Sequence, residues 1–436
     1  MLMNTPLPRR EFLKRTSILT VGLAAGTAPW TPRAAGSPNE KVVVAVIGCN
    51  ARGMNIIEGF LALPNAEIGG VCDVDRRALE KGLAAVAKKQ ARPPQGETDL
   101  RRLLENRDID AIAIATPDHW HAPAAILGCA AGKHVYVEKP GSHNLHESEL
   151  IVAAARKHRR VVQMGNQRRS WPWVIEAIAA VHQGEIGRVS FARGWYANHR
   201  APIGRGTITP VPEWLDYSLW QGPAPERPYR SNLLHYNWHW FWHWGTGEMG
   251  NNGVHALDLA RWGLRVDLPT RVTCGGRRYF HEDDWETPDS CFATFDFGTV
   301  GISWEGLSCA PRGLEGSGFG VTFYGENGCW VISGNNAICY DLKNQVVREI
   351  KGQRRDLFGF DTLHFHNFCN AIRQGEPLRS EIEEGQKSTR MCHLANLAWR
   401  TGRTINYLPS TGKIVGDRGA TRLARREYRR GWEPKV

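Results

Sequence analysis

Two regimes of hydrophobic patterning divide the chain. Between Lys41 and Gly165, short continuous apolar runs alternate with stretches whose apolar positions recur at helical spacing. The runs 41–48 (KVVVAVIG), 66–72, 111–115, 135–138 and 161–165 read as strands buried on both faces, and 54–63, 76–89, 100–105, 123–131 and 145–157 read as helices. Strand and helix in alternation predict an α/β unit on a parallel sheet. Beyond Gly187 the pattern becomes period-two or β-rich, at 187–197, 271–277, 291–297, 300–307, 320–324 and 328–333, with glycines at the turns. These strands predict a second sheet, accompanied by helices over 173–183, 256–262, 363–374 and 382–400.

Ligands of parallel α/β sheets gather outside the carboxyl ends of the strands, which is where candidate chemistry is sought. The stretch Lys133 to Pro140, KHVYVEKP, is a strand that delivers Lys139 to such an end, making it the first catalytic candidate. The first strand runs into Gly48-Cys49-Asn50-Ala51-Arg52-Gly53 and then into a helix, the layout of a dinucleotide-binding turn. Asn50 stands where a middle glycine is usual, and asparagine is the best non-glycine residue at positive φ. Asp73 ends the second strand, twenty residues after Gly53, where a carboxylate accepts ribose hydroxyls and repels a 2′-phosphate. NAD is therefore expected, with NADP kept open by Arg76 and Arg77. A polar turn, Thr116-Pro117-Asp118-His119-Trp120-His121, follows a later strand and should lie near the nicotinamide side.

These residues, Gly48 to Gly53, Asp73, TPDHWHA at 116–122 and EKP at 138–140, together resemble the Gfo/Idh/MocA superfamily of NAD(P)-dependent enzymes, which includes glucose-fructose oxidoreductase and inositol dehydrogenase. The resemblance covers nearly the whole chain after its leader. It implies an α/β Rossmann domain followed by an α+β domain on an open, mostly antiparallel sheet whose outer face makes a homo-oligomer. It implies that Lys139 is catalytic, that the Lys139–Pro140 bond is cis, and that Gly48, Cys49, Asn50, Ala51, Arg52, Gly53, Asp73, Thr116, Pro117, His121, Glu138, Lys139 and Asn166 face the cofactor. The family pattern D-x-G-x-H is matched by Asn251 to His255, with asparagine for aspartate. Asparagine orients a hydroxyl but cannot take its proton, so general-base work shifts to His255.

The densest aromatic stretch, 235–244 (HYNWHWFWHW), offers flat apolar faces with polar edges that suit a pyranose, or equally a core or an oligomer contact. Arg193, Tyr196, His199, His239, Trp240 and Asn252 are the substrate candidates. His235, His239 and His243 share helical spacing, but no carboxylate or cysteine joins them and no metal is expected. A Pro- and Gly-rich excursion over 201–228 reads as a lid or binding loop.

Composition changes the ends of this picture. The first 35 residues carry Arg9-Arg10-Glu11-Phe12-Leu13-Lys14 before an apolar run, which resembles a twin-arginine export signal and implies a periplasmic or envelope address. Their five basic residues and one acid lower the formal charge from +11 to +7 when removed. The domains expected are thus this signal over 1–35, a Rossmann domain over 36–165, a substrate and dimerisation domain over 166–410, and a solvated basic tail over 411–436. No aromatic platform is interleaved with the tail, so nucleic acid is not an expected partner, and no apolar stretch is long enough to insert in a membrane. Ten cysteines without a CxxC pair argue against structural zinc. The expected activity is oxidation of a secondary hydroxyl of a sugar, cyclitol or glycoside. Two alternatives stand beside it: a redox-neutral NAD-dependent glycosidase like the α-N-acetylgalactosaminidases, and a non-catalytic sugar- or cofactor-binding protein.

Overall fold

Six parallel strands in the order β3-β2-β1-β4-β5-β6 form the first sheet of the computed structural model, which describes residues 41–352 and 359–436. They are β1 Val42–Ile47, β2 Ala66–Cys72, β3 Gln95–Glu97, β4 Ala111–Ile114, β5 His134–Val137 and β6 Val162–Met164. The twin-arginine segment and the boundary at residue 35 lie outside the described residues. β3 was not legible in the sequence, because Gln95-Gly96-Glu97 carries no apolar signal; it holds the edge by backbone pairing with β2 and by the Asn106 amide, which donates to Gln95 Oε1 at 2.8 Å.

Ten strands build the second sheet, in the order β14-β13-β12-β11-β7-β10-β9-β8-β15-β16. β7 is Val189–Ala197, β8 Arg271–Arg277, β9 Ser290–Asp296, β10 Gly301–Leu307, β11 Phe319–Gly325, β12 Gly328–Ser333, β13 Asn336–Asp341, β14 Val346–Lys351, β15 Ile405–Leu408 and β16 Lys413–Val415. Every neighbouring pair is antiparallel except β7 and β10.

The two halves share structure. Helix Asp361–Gln374, late in the chain, packs on the first sheet, with Phe365 stacked on Phe60 at 4.9 Å and edge-on to Tyr136. Burying a phenylalanine of this kind contributes roughly 1.5–3 kcal/mol. The described residues accordingly form one compact unit.

The carboxyl terminus differs from a solvated tail. β16 extends the second sheet, and helix Arg418–Leu423 is capped by Asp417, whose carboxylate accepts from Ala420 N at 2.9 Å. Beyond it Trp432 packs edge-on against Trp120 at 5.4 Å, and Arg429 reaches Glu226 at 2.7 Å. An aromatic contact and an ion pair hold a segment whose charge alone suggests solvation.

The 201–228 excursion folds back over the first sheet. Leu215 makes an antiparallel bridge with Asp75, Arg76 N donates to Trp214 O at 3.0 Å, and Asp216 N donates to Val74 O at 3.0 Å. A loop of the second half is thus stitched to the carboxyl end of β2.

Candidate active site

A cleft of about 410 Å³ runs along the carboxyl ends of β1, β2, β4 and β5, from Asp73 at one end to Lys139, Asn251 and His255 at the other. Its floor is the turn after β1. Gly48 adopts φ +87°, and a side chain there would come within 2.8 Å of Ala115 O. At Gly53 a Cβ would lie 1.7 Å from Gly48 O, so only glycine lets the helix Ala51–Leu61 start this close to the strand. Asn50 has φ −74°, so positive φ is carried by Gly48 and not by Asn50 as expected. Its side chain makes no cap hydrogen bond, which leaves the first-turn amides of that helix open to an anion.

Asp73 Oδ2 accepts from Cys49 N at 2.6 Å and Oδ1 from Asp75 N at 2.9 Å, bracing the carboxylate at the cleft edge. Burial pushes its pKa up while these two amides pull it down. Arg77 is committed to Asp75 at 2.9 Å and lies 3.5 Å over the Trp214 ring, and Arg76 donates to Glu213 O. With both arginines engaged elsewhere, the Asp73 end suits a free ribose diol better than a 2′-phosphate. The glycine cradle, the open amides, Asp73 and a buried Thr116 Oγ1 that lacks a protein partner all fit NAD.

At the other end the Lys139–Pro140 bond is cis. Lys139 Nζ donates to Asn251 Oδ1 at 2.8 Å, and burial lowers its pKa against the opposing pull of Glu138 and Asp118. Asn251 sits in a π-helical turn, Met249–Gly253, that runs straight into helix Val254–Leu264 with His255 in its first turn. Such turns re-aim side chains and occur often at functional sites. Asn251 Nδ2 in turn donates to Tyr236 Oη and to Glu248 Oε1, each at 3.3 Å. Glu248 is buried and receives Arg200 at 2.7 Å, Ser308 Oγ at 3.0 Å and Asn252 Nδ2 at 2.5 Å.

His255 is 9% exposed, and its Nδ1 has no partner among the described residues. Burial, then the Arg168 and Lys139 charges, hold its pKa well below the usual histidine range, so the ring is neutral with an open acceptor nitrogen, and is a weaker base than a free imidazole. Asp118 faces this group from the first turn of helix Asp118–Ala130, which begins inside the stretch expected to be a turn, five residues before the expected start at 123. Burial pushes its pKa up to about 6, opposed by the Thr246 hydroxyl, which donates at 2.5 Å, and by Lys139.

Glu138 receives Arg52 Nε at 2.8 Å and Gln167 Nε2 at 2.8 Å. Arg52 also reaches Asp361 at 2.8 Å, so one guanidinium joins the glycine turn, the EKP strand end and helix Asp361–Gln374. Glu138 is therefore a brace beneath Lys139. Burial raises its pKa, but Arg52 and Lys139 outweigh this and hold it below the ordinary value.

Of the other candidates, Ala51, Arg52, Pro117, His121 and His239 line the cleft. His121 Nε2 donates to Thr116 O at 2.8 Å, and His239 stacks on Trp238 at 3.6 Å. Cys49 is buried behind the glycine turn, and Asn166 is buried with both side-chain polar atoms unpartnered. The remaining candidates lie elsewhere. Arg193 pairs with Glu305 at 2.6 Å in a shallow depression on the second sheet, among Phe191, Phe292 and Tyr324. His199 is exposed, and Tyr196 Oη serves the Arg200 network at 3.1 Å. Trp240 is buried and stacked on Trp285 at 4.0 Å, and Asn252 is spent on Glu248. The aromatic stretch thus divides. Tyr236, Trp238 and His239 face the cleft, while Trp240 and Trp244 are core. Its histidines take separate partners: His235 binds Asp75, His239 binds Tyr236 O and His243 binds Pro225 O.

Asp118, Gln167, Arg200, Tyr236 and Glu248 also belong to this site, and none of them is among the sequence candidates. Asp118 lay inside a motif already singled out. Arg200 and Glu248 are 48 residues apart and carry no local signal of their pairing.

Comparison with known proteins agrees with this geometry. Residues 42–166 match the oxidoreductase family NAD-binding Rossmann fold of Gfo/Idh/MocA, and 189–285 match its C-terminal alpha/beta domain. A glycosyl hydrolase family 109 protein of Parabacteroides distasonis is 28% identical over 458 aligned positions, covering 92% of this chain and 96% of the relative. One of Saccharopolyspora erythraea is 34% identical over 163 residues, but that match spans only 36% of this chain and 35% of the relative. Among solved structures, GenD2 from gentamicin A biosynthesis in complex with NAD superposes with a TM-score of 0.65 at 20% identity, covering 87% of this chain and 99% of that one. The aldose-aldose oxidoreductase of Caulobacter crescentus gives a TM-score of 0.65 at 17% identity over 84% and 100% of the two chains. With a cleft of this form and both family domains in order, the chain belongs to the Gfo/Idh/MocA family of oxidoreductases and has its NAD-binding Rossmann fold.

Proposed function

We infer that the protein oxidises a secondary hydroxyl of a sugar, cyclitol or glycoside with NAD. The observation that carries this reading is the continuity of one cleft from the Asp73 end to the cluster of Lys139, Asn251 and His255. When bound, NAD supplies the acceptor for the hydride, and the protein supplies orientation and electrostatics. The Lys139 ammonium, tethered on one side by Asn251, has further N–H groups for the hydroxyl oxygen. Neutral His255 accepts the hydroxyl proton, and Tyr236, Trp238 and His239 give the ring a partly aromatic wall.

A second reading has specific support. The loop bridged to Asp75, with Leu219 and Trp220 on the cleft wall, covers the cofactor end, which suits NAD that stays bound through a closed cycle. The full-length relative named as a family 109 glycosyl hydrolase, and a shorter match to an α-N-acetylgalactosaminidase of Shewanella oneidensis, point the same way. In that cycle the hydroxyl would be oxidised to a ketone, the glycosidic bond would break by elimination with the aglycone leaving as an alcohol, water would add to the resulting enone at the anomeric carbon, and the ketone would be reduced again by the same hydride. Product analysis on a panel of glycosides separates the two: ketosugar with accumulated reduced nicotinamide marks the dehydrogenase, and free sugar without it marks the glycosidase. Neither product from any glycoside, with NAD bound, removes both and leaves a binding protein.

The RRxFLK leader supports export to the periplasm, which fractionation of cells carrying the intact and the Arg9→Lys, Arg10→Lys leaders tests. Phe191, Phe292 and Tyr324, each more than a third exposed on the second sheet, support association of two copies through that face, which sedimentation of a Phe292→Glu variant tests.

A further inference from the structure

A second cavity, of about 380 Å³, lies behind the wall that carries Thr246. The C-terminal segment, the lid around Pro225 and the carboxyl end of helix Ile382–Thr401 enclose it. Four arginines line it: Arg227, Arg400, Arg425 and Arg426. Among the described residues no carboxylate lies within ion-pair distance of any of them. The acids nearby are spent or few. Glu226 is held by Arg429 at 2.7 Å, and the buried Glu147 accepts from His143 N at 2.9 Å and Tyr428 Oη at 2.8 Å, leaving Glu427 on the rim.

What the arginines do bond is neutral. Arg426 donates to His243 O at 3.3 Å and meets His143 Nδ1 at 3.4 Å, and Arg400 lies 4.9 Å over the Trp242 ring. Partial burial lowers the pKa of both guanidinium groups by more than the pull of Glu147 on Arg426 and of Glu286 on Arg400 restores, although Arg400, like Arg227 and Arg425, keeps much of its surface open at the cavity mouth. The three histidines of the lining, His143, His243 and His393, are kept neutral by burial and add hydrogen-bonding capacity without offsetting charge. Four like charges gathered around a concave, aromatic-edged space, with Arg426 half-buried and Arg227, Arg400 and Arg425 at the solvent-facing rim, set up a field that draws an anion into the space between them. Guanidinium forks match oxyanions in a bidentate manner that a lysine cluster would not.

We propose that this cavity is a second ligand site, separate from the NAD cleft, that takes an oxyanion, either free or carried on an acidic carbohydrate. Its wall gives a route to the first site. Thr246 lines the cavity and its hydroxyl bonds Asp118, which sits beside Lys139, and Asn396 Nδ2 in the same lining donates to Thr246 O at 2.9 Å.

The test is calorimetric titration of the purified, NAD-loaded full chain with inorganic phosphate, sulfate and glucuronate, with glucose as the neutral control. Saturable one-site binding of at least one anion, weakened at least tenfold in the exposed-residue double variant Arg227→Gln, Arg400→Gln with NAD affinity unchanged, is the expected result. Tighter glucuronate than phosphate or sulfate assigns an acidic sugar, and the reverse order assigns a free ion. Mass mapping of phenylglyoxal-modified arginines on the unaltered protein gives a check that needs no variant: the ligand should protect Arg227 and Arg400. Absence of saturable binding, equal binding in the double variant, or no protection of those two arginines overturns the proposal.

Discussion

Asn251 stands between Lys139, whose Nζ donates to Oδ1 at 2.8 Å, and Glu248, whose Oε1 accepts from Nδ2 at 3.3 Å. The amide is read from both sides, and its orientation follows: oxygen toward the cation, nitrogen toward the carboxylate. An aspartate here would set two carboxylates at that distance, with one of them forced to keep a proton. Asparagine where the family pattern has aspartate is thus matched to Glu248.

Asn251→Asp should therefore cost activity despite restoring the family residue. Turnover is expected to fall about ten- to a hundredfold at neutral pH, as a misplaced Lys139 ammonium would cause. Steady-state rates from pH 5 to 8 check this, and the loss should be smallest at the acid end, where the pair shares a proton. Asn251→Asp with Glu248→Gln should recover part of the loss, because the repulsion is gone.

Glu248→Gln alone removes the charge that pairs with the part-buried Arg200 at 2.7 Å. Breaking a buried pair on one side typically costs about 3–5 kcal/mol, here discounted because the Arg200 side chain keeps 12% of its exposure. Chemical denaturation should show a loss of this order. A Glu248→Gln protein as stable as the parent would mean that Arg200 finds full compensation in Tyr236 and Tyr196.

Asp118 predicts an acid limb in the rate profile. Its pKa is pushed up to about 6, so its charge appears only as pH rises through that value, and that charge favours protonated Lys139. Activity should rise between about pH 5 and 7, and Asp118→Asn should abolish the limb. The stability sign is opposite. The folded pKa lies above the unfolded 3.8, so any favourable contribution is full below 3.8 and lost as pH rises through about 6. Asp118→Asn should thus narrow the drop in stability between those values.

Asp73→Ala should weaken NAD more than NADP, since the lost carboxylate both accepts the ribose diol and repels a phosphate. Fluorescence titration of the two cofactors measures the ratio. The unaltered protein should favour NAD, and the variant should bring the two affinities together.

Removal of residues 425–436 tests the docked terminus. Arg429 bonds Ser218 at 3.1 Å as well as Glu226, so truncation should loosen the lid, speed NAD release and leave the second sheet folded. Hydrogen exchange should rise in 211–228 and stay unchanged in β7 and β10.

Much of this architecture was legible in the residues because it rests on local signals. Apolar runs marked the parallel strands, the Gly48 to Gly53 turn marked the cofactor site, and the order of motifs located Lys139 and His255. What escaped depends on contacts distant in sequence. Nothing near Arg200 announces Glu248, and nothing near Arg429 announces the lid. Arg193 and Tyr196 lie three apart on β7, so strand alternation sends them to opposite faces, a rule that could have excluded one of them in advance. Trp240 and Trp238 are also close in sequence, and only packing decides that one is core and the other wall. β13 and β14 carry weak apolar patterning and pair as a hairpin at the sheet edge.

We infer that Lys139 and His255 handle a sugar hydroxyl beside bound NAD. The most direct measurement is a rapid-mixing experiment with NAD-loaded protein and a panel of pyranosides, monitored at the reduced-nicotinamide band. A burst in the unaltered protein that is absent in Lys139→Ala and in His255→Ala, both retaining NAD, is the predicted result. A burst of equal size in either variant, or none with any pyranoside that demonstrably binds, would contradict it.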